Sequence, residues 1–143
     1  MHQRILVPLD GSQLAETALT HVVPLAQRFT ASVTLLQVVA EAKPGTIEDY
    51  LRGAAQGLHD QGISVAIEYP EGGPSTVIID RAGQLGIDLI AMTSHGRGGL
   101  ERAVFGSVAD EVPRKTPCPV LLVRVVDRPP EPDDPQRPAF PYA

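Results

Sequence analysis

The residues best equipped for chemistry lie between 93 and 107. They read Thr93-Ser94-His95-Gly96-Arg97-Gly98-Gly99, and the stretch closes on Gly106-Ser107. Closely spaced glycines let backbone N–H groups approach a ligand, and a helix that starts at such a loop offers free donors and partial positive charge. The chemistry suited to this arrangement is the holding of an anion such as a phosphate group. Arg97 could add a fork of donors, although a solvated loop cation is its plainer reading. His95 could donate to a phosphate or act as a base, but no partner carboxylate stands near it in the sequence. An exposed turn histidine is the simpler account. A second candidate is Asp10-Gly11-Ser12. Asp10 could be a metal ligand, an acceptor for a ribose or base, or a cap for the helix that follows.

Several better-defined motifs are missing. No Gly-Lys pair exists, which removes the P-loop, and position 101 is Glu where a dinucleotide fingerprint needs its third glycine. No Gly-x-Ser-x-Gly elbow occurs. A phospho-receiver domain would share the length, Asp10 and Thr93. It would also need an Asp after the third strand and a Lys after the fifth, whereas the chain has Tyr69-Pro70-Glu71 and places Lys115 before the fifth.

The elements that must position these residues follow from apolar patterning. Five runs read as strands: 4–9, 32–39, 63–68, 88–92 and 120–123. Four are near-continuous, as expected of strands covered on both faces; the third alternates, which suits an edge. Helices are expected between them. Ser12 is a fair N-cap, and Leu14, Ala18, Val22, Leu25 and Phe29 form one stripe that Pro24 should bend. The second helix is expected at about 47–61. The third starts at Pro74 and stops at Gly86, and the fourth spans about 106–115 with Val108 and Val112 inward. Strands alternating with helices give a parallel sheet with helices on both faces and right-handed crossovers. Ligands in such sheets bind beyond the carboxyl ends of the strands, where the strand order reverses. If strands one and four are neighbours there, the Asp10 turn and the glycine loop line one crevice.

The chain has 143 residues, 43% of them hydrophobic, and a net charge of −5 with no basic run. This suits one soluble domain and argues against broad binding to nucleic acid or anionic membranes, which needs basic patches. The single cysteine, Cys118, reads as a small buried residue at a strand start. The early first strand leaves no room for a signal peptide, so a cytoplasmic location is expected. The last seventeen residues, 127–143, hold six prolines and four acids. They read as a disordered or extended tail, or as an arm with Phe140 and Tyr142 as anchors on a partner subunit.

Together these pieces resemble the universal stress protein family, whose nucleotide motif runs Gly, two residues, Gly, nine residues, Gly, then Ser or Thr. Gly96, residues 97–105 and Gly106-Ser107 match its later part, and Thr93 stands in place of its first glycine. Val7-Pro8-Leu9-Asp10-Gly11-Ser12 is similar to the family's first strand and Asp turn. Leu35-Leu36-Gln37-Val38 is similar to its second strand, and Pro117-Cys118-Pro119-Val120-Leu121-Leu122-Val123 to its last. The resemblance covers residues 1–126.

It implies a Rossmann-like α/β fold of the adenine nucleotide alpha hydrolase-like kind, with a five-stranded parallel sheet in the order 3-2-1-4-5. It implies a homodimer joined through Val120, Leu121, Leu122 and Val123, and ATP as ligand, with AMP or ADP as variants and Mg²⁺ as a screening ion. Carried over by position, Asp10 and Val38 face the adenine and ribose with Pro8 and Leu9 beside them. Met92 and Thr93 border the ribose. Gly96, Gly106, Ser107 and Val108 hold the phosphates, with Arg97 near. Thr93 would either crowd the sugar or hydrogen-bond to it. The function implied is an ATP-binding regulatory protein of the stress response, without efficient turnover and with a protein partner not identified by sequence. The alternatives are a dimeric interaction module whose crevice Thr93 closes, and a slow ATPase or phosphotransferase using His95 or Asp10.

Overall fold

The computed structural model describes residues 3–39, 44–94 and 105–124. The chain alternates β1 (Arg4–Leu9), α1 (Gln13–Phe29), β2 (Ser32–Gln37), α2 (Pro44–His59), β3 (Ser64–Glu68), α3 (Pro74–Gln84), β4 (Leu89–Ser94), α4 (Phe105–Lys115) and β5 (Val120–Arg124). All pairings are parallel, and the sheet order is β3-β2-β1-β4-β5. The fold is therefore the five-stranded Rossmann-like arrangement expected from the sequence. Order 3-2-1-4-5 with right-handed crossovers puts α1 and α2 on one face and α3 and α4 on the other. The packing agrees: α1 lies on β1 and β4, α2 on β2 and β3, and α3 against α4.

The apolar runs form the central strands because both of their faces are covered. Ile5 through Leu9 are all buried, and so are Val33, Leu35, Leu36, Ile90, Ala91 and Met92. The alternating run is edge strand β3, which starts at Ser64 rather than Ile63. Strand β2 stops at Gln37, short of the expected 39, and Val39 instead makes an isolated bridge to Glu71. Strand β4 runs two residues past the expected Met92, because Thr93 and Ser94 pair with Val123 and Arg124 of β5. Thr93 thus belongs to the strand rather than to the loop.

The helices need smaller corrections. Helix α1 runs through Pro24, capped by Ser12, whose side chain accepts from the Ala15 N–H. Its buried stripe is Ala15, Ala18, Val22 and Ala26, while Phe29 is exposed. Small residues line this face, and Phe29, the last residue of the helix, lies outside it. Helix α2 starts earlier than expected and ends at His59. Val108 and Val112 of α4 do face the core. Cys118 is half-buried rather than buried, and that burial pushes its thiol pKa up, which disfavours the reactive thiolate. The tail 127–143 and its two anchors lie outside the described residues.

Candidate functional site

The crevice begins with a proline. Backbone groups of successive strand residues point to alternate neighbours. The Gln3 carbonyl accepts from Ser32 next to β2, whereas the Arg4 carbonyl accepts from Asp88 next to β4. Odd residues of β1 therefore address β2, and even residues address β4. Pro8 is even, so the N–H it lacks is one that would have faced β4. The pairing reflects this. β1 and β2 stay in register to Leu9↔Gln37, but β1 and β4 are in register only at Ile5↔Leu89 and Leu6↔Ile90. Beyond that point β4 continues to Ser94 alongside β5. The bonded ladder between β1 and β4 consequently ends where the strand order reverses, the position at which open α/β sheets take their ligands.

The Asp10 turn sits at this opening. Gly11 has φ +85°, a conformation that favours glycine, and its backbone lies against the Gln37 side chain. Asp10 Oδ1 accepts from the Ser12 N–H at 2.9 Å and from the Ser12 hydroxyl. Ser12 Oγ in turn accepts from the Ala15 N–H at 3.1 Å. Asp10 therefore does serve the turn and the helix start. Its other oxygen, Oδ2, takes no hydrogen bond from the described residues, so the structural role leaves an acceptor over.

On the α3 face, Pro8, Leu9, Asp10 and Val38 come together with Leu36, Pro74 and Ile78 around a small cleft. Four of the sequence-derived site residues thus share one wall. Leu36, Pro74 and Ile78 were missed. The signal for them was topological: the crossover from β3 to β4 must carry α3 over β2 and β1. The open space admitting a water centre is about 20 Å³, the room of roughly one water. Among the described residues that line it, Asp10 carries the charge and the others are apolar.

Thr93 is placed differently from the expectation. Among the described residues it is the buried polar one, 2% exposed, and its hydroxyl donates to the Ala15 carbonyl at 3.1 Å. The side chain points to the α1 face, away from the cleft lined by Pro8 and Val38. Met92 is fully buried and Val108 nearly so. Gly106 and Ser107 lie in the first turn of α4. His95, Gly96 and Arg97 lie outside the described residues.

On the α1–α2 side of the same strand ends, Gln37 Oε1 and the Tyr50 hydroxyl are buried without a hydrogen-bond partner. Burial, aided by the Glu16 and Asp10 carboxylates, pushes the Tyr50 pKa up to about 12. Nothing in the sequence pattern singled out these two residues. At the far edge of the sheet, β5 pairs with β4 only. Val120 and Leu121 are half-buried, Val123 is buried and Leu122 is 42% exposed. Among the described residues no group of three or more His, Cys, Asp or Glu comes together as a metal site. No described helix is long and apolar enough to cross a membrane.

Comparison with known proteins bears on this geometry. The sequence model of the universal stress protein family matches residues 1–124. A universal stress protein of Methanocaldococcus jannaschii is 31% identical over 141 residues, spanning 87% of this chain and 83% of the relative. A universal stress protein solved in complex with cAMP superposes with a TM-score of 0.72 at 23% identity, covering 85% of this chain and 96% of the other. One from Archaeoglobus fulgidus, solved in complex with dAMP, gives a TM-score of 0.68 at 21% identity over 85% and 97% of the two chains.

Proposed function

The chain belongs to the universal stress protein family, and from that premise we propose that it is a cytoplasmic regulatory protein that binds an adenine nucleotide, ATP foremost, in the crevice between β1 and β4. The observation that carries the reading is the convergence of Pro8, Leu9, Asp10 and Val38 on one apolar cleft beside the end of the β1–β4 ladder. Apolar walls suit a purine. The unengaged Asp10 oxygen suits a ribose hydroxyl or exocyclic amine. The first turn of α4, with Gly106 and Ser107, and the glycines at 96 and 98 suit the phosphates. The cAMP and dAMP bound by two fold neighbours share the adenine and a phosphate, which supports the ligand class. Mg²⁺ would be held chiefly by the phosphates, since among the described residues Asp10 is the carboxylate lining this cleft.

Turnover is not part of this reading. A general base needs an orienting partner aimed at the reacting atom. The one carboxylate in the cleft instead has an oxygen committed to Ser12. The outer edge of β5, with Leu122 exposed, suits pairing with its two-fold mate, which would remove an open sheet edge. The near-closed cleft favours one competitor, a dimeric interaction module of the same fold that takes no nucleotide.

One experiment separates the two readings. Purified protein is denatured and the released small molecules are analysed; stripped protein is then melted with and without ATP and Mg²⁺. Nucleotide at a hundredfold excess over Kd stabilises by about 2.7 kcal/mol, a rise of several degrees in Tm. Absence of retained adenine nucleotide together with an unmoved Tm refutes the nucleotide reading.

A further inference from the structure

We propose that Thr93 is a positioning residue, whose hydroxyl ties the end of β4 to the Asp10 turn through a relay of hydrogen bonds. The relay can be followed atom by atom. The Thr93 hydroxyl donates to the Ala15 carbonyl at 3.1 Å, and the Ala15 N–H donates to Ser12 Oγ at 3.1 Å. The Ser12 hydroxyl donates to Asp10 Oδ1, and the Ser12 N–H donates to the same oxygen at 2.9 Å. Each group thus fixes the next, from the strand that leads into residues 95–104 to the carboxylate on the other side of the crevice. The two halves meet at Ala15, whose C=O and N–H sit on adjacent peptide groups, so the link acts by fixing the backbone of that one residue from both sides.

The placement explains why a side chain is tolerated here. Along β4, Ile90 and Met92 face α4, whereas Ala91 and Thr93 face α1, because strand residues alternate. A residue at 93 therefore projects into the contact with α1 and not into the cleft. β1 and β4 have no registered pair beyond Leu6↔Ile90. A side-chain bond through α1 supplies the link that the missing ladder does not. The Ala15 carbonyl, inside a helix, also has its own donor four residues on. Losing the Thr93 hydroxyl would therefore loosen the geometry without orphaning a carbonyl. The inference rests on the nucleotide reading only where affinity is measured, since the relay exists in the free protein.

The test compares Thr93→Val, Thr93→Ser and Thr93→Gly in the full chain, with two readouts: amide hydrogen exchange at Ser12 and Ala15 without ligand, and the Kd for ATP with Mg²⁺. The expected result is that T93V speeds exchange at both amides and weakens ATP by about tenfold. T93S restores both to near wild type, and T93G weakens ATP at least as much as T93V. Should T93V fail to fold, Ser12→Ala cuts the relay from its other end and must weaken ATP by a similar factor. Tighter ATP binding by T93G with T93V unchanged would make residue 93 an obstacle and overturn the proposal. Unchanged exchange and unchanged affinity in T93V would overturn it as well. Exchange that responds in a protein with no nucleotide affinity at all would sink the nucleotide reading and leave the relay standing.

Discussion

Replacing Pro8 should uncouple stability from ligand affinity. Pro8 is buried in β1, paired with Leu36 on one side, and its ring nitrogen faces the β4 side beyond the last registered pair. Pro8→Val restores an N–H pointed at β4 and keeps an apolar residue suited to a strand. One new ladder bond contributes about 0.5–1.5 kcal/mol. Loss of proline's restriction of the unfolded chain costs about 0.4–1 kcal/mol. The two nearly cancel, so Tm should move by no more than a few degrees. Affinity does not have this compensation. A nucleotide entering the crevice must break the bond that now holds β1 to β4, and it forfeits the same 0.5–1.5 kcal/mol, a weakening of about twofold to tenfold. Calorimetric titration with ATP measures the affinity, and amide exchange in the free variant reports whether the residue 8 N–H is bonded. A well-folded P8V with wild-type affinity and a fast-exchanging amide at residue 8 would refute the idea that the missing donor keeps the crevice open.

Two other variants probe separate parts of the molecule. Leu122→Ser removes the exposed apolar side chain of the β5 edge. Burying the open 42% of a leucine contributes about 0.6–1.3 kcal/mol per protomer, so a two-fold dimer through β5 should weaken by about tenfold to seventyfold in sedimentation equilibrium; unchanged self-association would move the interface elsewhere. Tyr50, one of three tyrosines, should ionise near pH 12 in a spectroscopic titration. Because the raised folded pKa favours the neutral phenol, its contribution is complete below pH 10 and lost as pH rises from 10 to 12. Tyr50→Phe should delete the late step without lowering Tm, since no protein hydrogen bond is lost; a marked fall in Tm would contradict that.

The sheet was legible because its signals are periodic and local. Three of the continuous apolar runs belonged to the central strands β1, β2 and β4, covered on both faces, whereas the fourth, β5, and the alternating β3 are the two edges. The Asp10 turn could be placed at a carboxyl end from the strand pattern, whereas Pro8, Leu9 and Val38 joined it only through the family resemblance; the structure lines one cleft with all four. Orientation was not legible. Thr93 was placed at the ribose edge by its rank in a motif, whereas the pleat and its pairing with Val123 turn its side chain to α1. The stripe chosen for α1 included Phe29, which is exposed, whereas the buried face carries Ala15 and Ala26. Residues that close the cleft from α3, and the unpartnered Tyr50, depend on distances between elements far apart in sequence. No local pattern encodes those distances.

The cleft itself sets the last requirement on a nucleotide. The described part of the cleft has room for about one water centre, so on the nucleotide reading a purine enters by displacing a wall. β1 and β2 are paired over six residues in the middle of the sheet and form the stiff side. The other wall is the first turn of α3, where Pro74 and Ile78 stand. That turn is reached through Gly72 and Gly73; Gly72 has φ +137°, and a Cβ there would lie 2.7 Å from Val77 Cγ2. The segment before α3 is tied to Val39 by two backbone hydrogen bonds and one bridge, against six registered pairs between β1 and β2, so on the nucleotide reading α3 is the wall expected to shift. Trimming Ile78, which is fully buried, should therefore act in opposite directions on stability and binding. Ile78→Val removes one methylene and costs about 0.5–1.5 kcal/mol of stability, while it shortens the displacement a base demands and should tighten ATP severalfold. Paired melting curves and calorimetric titrations read both effects. A variant that loses affinity along with stability would mean that the Ile78 side chain contacts the base instead of blocking it, and that the opening lies on another wall.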